Sequence, residues 1–141
     1  MEIIKLTRAD RVVRELDETA RKAHRQQVDG WIRALKAAEA KAVADKLPLR
    51  LYQANYRVED EKSATKGSYD LRRGAVVELL KSLSPKERHP STSTWIFQLH
   101  IADAPVIANL LAPPLDSAID FLSVAELTAN RTTIGSAGLK S

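Results

Sequence analysis

The residues able to do chemistry in this chain are few, and most are basic. Arg57, Lys62, Lys66, Arg72 and Arg73 stand close together in sequence. Such a cluster can neutralise backbone phosphates and give salt-dependent affinity that reads no base sequence. The same residues also suit a dispersed, solvated surface. Three histidines, His24, His89 and His100, stand at no ligand spacing from one another. His89, between Arg88 and Pro90, has the side chain for general acid–base work near neutral pH, as in RNA cleavage. His100 reads as a surface residue of a strand. The absence of Cys excludes a disulfide scaffold, a thiolate zinc site and a Cys nucleophile. No Gly-rich phosphate loop, Walker lysine or Gly-x-Ser-x-Gly elbow is present. Tyr52, Tyr56 and Tyr69 read as sheet and core residues rather than as an aromatic platform for single strands.

The elements that must hold these residues fit one domain with an appendage. The chain has 141 residues, 44% apolar and 28% charged, with only 5% aromatic. The core is therefore aliphatic. The net charge is +4. Residues 1–47 hold 11 Lys/Arg and 8 Asp/Glu, a net of +3, so most of the excess lies in the first third. The start, Met1-Glu2-Ile3-Ile4-Lys5-Leu6, lacks the apolar core of a secretory signal, and no run suits a membrane span. The chain reads as cytoplasmic, without a membrane partner.

Residues 1–47 form a helical arm in this reading. Thr7 is the N-cap candidate, and apolar residues recur at helical steps from Val13 through Val28, Trp31, Leu35, Ala38 and Ala42. Gly30 either splits the arm or is tolerated within it, and Pro48 stops it. The thin stripe must be covered by its own domain, a second copy or another chain. Leu49–Val58 alternates as a half-buried strand. Glu59–Ser68 is a polar loop. Ser68 or Asp70 caps a helix to about Leu83, and Ser84–Pro90 is a turn-rich loop. Ser93–Ile101 is the clearest strand, with Trp95, Phe97, Leu99 and Ile101 on one face. A short helix follows over Ala102–Leu111, then a buried strand over Ile119–Leu127, then a short strand or tail over Asn130–Gly138. This order predicts an α+β fold, a ferredoxin-like sandwich over residues 48–141 with both helices on one sheet face.

Several segments together resemble a known family. They are Tyr52 to Tyr56 before a Lys-rich loop, Tyr69-Asp70-Leu71, Lys81-Ser82-Leu83, Ser93-Thr94-Trp95, Leu115-Asp116 and Phe121-Leu122-Ser123-Val124-Ala125-Glu126-Leu127. Over about residues 49–138 the pattern is similar to the small single-domain relatives of the CRISPR-associated protein Cas-two, a superfamily that includes the virulence-associated protein D toxins. The resemblance implies a ferredoxin-like homodimer built through its sheets, linked to RNA or DNA, in a defence or toxin–antitoxin setting. In its cutting members an Asp in a Tyr-Asp-Leu context at the end of the first strand holds a divalent metal across the dimer axis. Here the triplet is Tyr56-Arg57-Val58, and a guanidinium cannot ligate Mg²⁺. Arg57 can instead neutralise a phosphate.

The sequence therefore favours a non-catalytic, dimeric, nucleic-acid-associated module that needs no cofactor. Its arm would bind a protein partner or brace the dimer. One alternative is an endoribonuclease dependent on Mg²⁺ or Mn²⁺, with Asp60 of the Glu59-Asp60-Glu61 run brought to the axis by a shifted register. Another is a protein–protein adaptor or inhibitor without nucleic-acid contact.

Overall fold

Alanine-rich sequence and a seven-residue spacing of buried side chains produce the first element. The structure, a computed structural model, describes residues 18–89, 93–128, 130, 132 and 139–140. Helix α1 runs over Glu18–Ala44 and buries Val28, Leu35 and Ala42. It passes through Gly30 unbroken; the Thr7 cap lies outside the described residues. The helix ends where Lys46 adopts φ 60°, with Lys46 N–H donating to Val43 O and Leu47 N–H to Ala42 O. These two bonds satisfy the last carbonyls in the usual left-handed terminus.

Strand β1 (Arg50–Arg57) leads to helix α2 (Tyr69–Lys81), strands β2 (Glu87–His89) and β3 (Thr94–Leu99), helix α3 (Ala104–Leu111), and strands β4 (Phe121–Leu127) and β5 (Leu139–Lys140). Ser68 caps α2, its hydroxyl accepting from Leu71 N–H, while Asp70 and Lys81 suit the two ends of the helix dipole. Pro105 sits in the first turn of α3, and the Pro113-Pro114 pair follows its end. The strands form one antiparallel sheet of order β4-β1-β3-β2-β5. The protein is thus α+β, with a long N-terminal helix. Among the described residues no helix is long and apolar enough to cross a membrane.

Alternation along the strands separates the two sheet faces. On the covered face, Tyr52 and Ala54 of β1 stand opposite Phe97 and Trp95 of β3, Leu99 stands opposite Arg50, and Val124 and Leu122 of β4 stand opposite Ala54 and Tyr56. Leu79, Leu80, Ile107 and Leu111 from α2 and α3 complete this core. Tyr52 stacks on Phe97 at a centroid distance of 6.1 Å, and its hydroxyl donates to Ile101 O. Helix α1 packs on α2 and α3 rather than on the opposite sheet face. Leu35 and Ala42 belong to the same core cluster as Tyr52 and Phe97. Over its described part, the arm expected from sequence is thus a third layer of the body.

Two strand expectations need correction. Ser84–Pro90 is not wholly a loop, because Glu87–His89 pairs with β3 and places the Arg88 guanidinium 4.5 Å from the Trp95 ring centre. Its charged sequence conceals a strand that cross-strand packing supplies. The segment expected as a buried strand begins at Phe121 and lies at the sheet edge, where no residue is fully buried. Its apolar content reflects one covered face, not two.

Candidate nucleic-acid interface

The second sheet face is built from the alternate residues of the same strands. At one end Arg57 stands directly opposite Phe121. The next row across the sheet is His89, Thr94, Asn55 and Ser123. Beyond it lie Glu87, Ile96, Gln53 and Ala125, and then Gln98, Leu51 and Leu127. Thr94 Oγ1 donates to Asn55 Oδ1 at 2.6 Å, which orients that amide. Ile96 is the one member fully buried, while the amides Gln53, Asn55 and Gln98 are half-buried. The helices pack on the other side, so among the described residues this is the sheet's open face.

The Arg57–Phe121 end carries the chemistry. Phe121 is 56% exposed, the largest fraction among the exposed large apolar side chains. The Arg57 side chain is 77% exposed and meets Glu59 at 3.0 Å. A solvent-exposed pair of this kind is worth little, so a phosphate can displace the carboxylate. An exposed ring accepts a stacked base, and a neighbouring guanidinium takes a phosphate or stacks in turn. Half-buried amides add hydrogen-bond donors and acceptors along the same face.

The other basic candidates do not join Arg57 in one rim. Lys62 and Arg73 are exposed, on the loop after β1 and on α2. Lys66 faces the helix side, where it lines a crevice of about 110 Å³ with His24, Gln27, Trp31, Thr65, Leu71 and Pro114. Burial, and then the neighbouring Arg25 charge, hold His24 below the usual imidazole value. Arg72 must be removed from the set, because it is buried with 1% exposure and cannot reach a phosphate. Its Nε donates to Asp120 Oδ2 at 2.9 Å, and its terminal nitrogens donate to Asp120 Oδ1 and to the carbonyls of Glu59, Glu61 and Gly67. Asp120 also accepts from the backbone of Glu59 and Asp116. Asp116 accepts from the Ser63 hydroxyl at 2.7 Å. This bond, followed by one from Ala118 N–H, holds the Asp116 carboxyl below its ordinary range.

The Glu59-Asp60-Glu61 run therefore has its backbone turned inward onto Arg72. Asp60 is exposed on that loop, and no group of three or more His, Asp or Glu suited to a metal ion occurs among the described residues. His89 lies on the open face with its side chain 13% exposed, and its Nε2 is 3.6 Å from Glu87 Oε2. Phe121 escaped the sequence reading because an apolar run does not reveal which strand lies at an edge. Only its register opposite Arg57 distinguishes it. No known family model, curated protein or solved structure matches the chain.

Proposed function

We propose that this protein is a non-catalytic module that associates with single-stranded nucleic acid through the open face of its sheet. The observation that carries this reading is the exposed Phe121 ring standing in register with the exposed Arg57 guanidinium. One offers a surface for a base, the other a charge for a phosphate, at the spacing of neighbouring strands. A ferredoxin-like reading of the fold is supported by the element order from β1 to β4 and by the strand order β4-β1-β3-β2. The Cas-two resemblance gives the same module a setting in defence or toxin–antitoxin systems.

Fluorescence anisotropy with labelled single-stranded RNA, single-stranded DNA and duplex, over rising salt, tests this proposal. Single strands should bind more tightly than duplex and weaken with salt. Phe121→Ala should weaken binding by about 1–3 kcal/mol, the usual worth of one stacked base. Equal binding by Phe121→Ala and the parent protein removes the open face from the proposal. Cleavage that requires added Mg²⁺ or Mn²⁺ and disappears in Asp60→Ala replaces it with the endoribonuclease reading. No binding to any probe at low salt favours the adaptor.

A further inference from the structure

The crevice of about 110 Å³ on the helix side is walled by α1 and by the loop after β1. His24, Gln27 and Trp31 reach it from one face of α1, at steps of three and four residues. Thr65 and Lys66 reach it from a tight turn. That turn is held from within. Ser63 bridges to Gly67, and its Oγ accepts from the N–H groups of Thr65 and Lys66. Ser63 is itself 3% exposed and donates to Asp116. Gly67 closes the turn at φ 87°, and its carbonyl accepts from the buried Arg72.

From this placement we infer that the crevice binds a small tetrahedral oxyanion, phosphate or sulfate, between α1 and the 63–67 turn. All five polar side chains on its wall carry a donor, and among the described residues no Asp or Glu lines it. Lys66 adds a full positive charge. Among the described residues, none of these five side chains hydrogen-bonds or ion-pairs within the protein. Two carboxylates act on the site from nearby, Glu78 on His24 and Asp116 on Lys66. Both are already held, by Arg25 at 2.9 Å and by the Ser63 hydroxyl at 2.7 Å. Converging donors beside a cation favour an anion, and charge-assisted bonds to it are roughly twice as strong as neutral ones. The volume equals a few water molecules at roughly 30 Å³ each, which fits one such ion.

The bound ion clamps α1 to the body. The site does not depend on the nucleic-acid reading, because neither Arg57 nor Phe121 lines it. His24 responds to the ion directly. Burial, and then the Arg25 charge on its own helix, hold its imidazole below the ordinary value, while Glu78 of α2 opposes them. Lys66 is the charge across the crevice. An oxyanion beside the ring favours its charged form. The ion therefore binds more tightly as pH falls from about 8 to about 6, where imidazoles take up a proton.

An NMR titration of the full chain with sodium sulfate, at ionic strength held constant with sodium chloride, tests the site without nucleic acid. The side-chain signals of His24 and Trp31 and the Thr65 amide should move together and saturate in the millimolar range. The His24 ring should then titrate at higher pH than in chloride alone. Lys66→Met should weaken sulfate binding by about tenfold, the worth of one charge-assisted hydrogen bond. His24→Gln should bind sulfate and lose the pH dependence. Circular dichroism melts identify any variant that fails to fold, and Thr65→Val, expected to lose about threefold, is the second variant. Inorganic phosphate and glycerol phosphate are further probes. Tighter binding of the bare ion marks a free oxyanion as the ligand, and tighter binding of the ester marks a phosphorylated small molecule; either satisfies the site. Shifts that never saturate, or that fall equally on the exposed Lys62, mean an adventitious ion only and overturn the inference. Parent affinity in both Lys66→Met and Thr65→Val overturns it too. Phe121→Ala should leave sulfate affinity unchanged, so loss of strand binding and loss of the ion are separate failures.

Discussion

Arg72 presents its donors in a fixed fork, and each finds an acceptor inside the protein: the Asp120 carboxylate and three loop carbonyls. The residue thus closes the loop after β1 onto the loop before β4. Removing it strands a buried carboxylate, so Arg72→Ala should destabilise by about 3–5 kcal/mol, measured by urea unfolding. Arg72→Lys should recover little, because an ammonium cannot reproduce the fork. Asp116 adds a pH dependence to the same knot. Its folded value lies below the ordinary one because Ser63 and Ala118 N–H donate to the carboxylate. That contribution is complete above the ordinary value of about 4 and is lost as pH falls through the depressed folded value. Thermal melts taken downward from pH 5 should show this loss, and Ser63→Ala should flatten it. An NMR titration should place the Asp116 carboxyl nearer its ordinary range in that variant.

At the scale of elements, α1 depends on packing more than on propensity. Gly30 lies in its interior, and an added Cβ would meet only Arg33 Nη2 at 3.7 Å. Gly30→Ala should therefore raise stability by about 1 kcal/mol, read from the denaturant midpoint. The helix is anchored to the sheet by Glu39. Its carboxylate accepts from the backbone of His100 and Ile101, and its Oε2 lies 2.7 Å from His100 Nδ1. Glu39→Ala leaves these groups without their acceptor and should cost about 1–3 kcal/mol. The exposed Arg25–Glu78 bridge between α1 and α2 should contribute under about 1 kcal/mol, and Arg25→Ala is the control.

For the whole molecule, the shared core decides what α1 is. Leu35 and Ala42 close the same cluster as Tyr52, Phe97 and Ile107. Deleting residues 1–47 should expose that cluster and abolish a cooperative melt, rather than leave a stable body without its arm. Preserved cooperative unfolding with an unchanged midpoint would make α1 a mere appendage. With α1 on the helix side, no described helix packs on the opposite sheet face.

Local patterns in the sequence determined the long helix, the capped second helix and the two central strands. Each depends on contacts a few residues apart: Ser68 with Leu71, the seven-residue spacing of Val28, Leu35 and Ala42, and the alternation in Tyr52–Tyr56 and Trp95–Leu99. Tertiary structure alone decided the fate of Arg72, since a cation in a polar segment looks the same whether a distant Asp120 buries it or water surrounds it. It alone turned Glu87–His89 into a strand, because its ladder partner is β3. It also set the exposure of Phe121 and its place opposite Arg57, because edge position and cross-strand register arise from pairing between segments more than sixty residues apart.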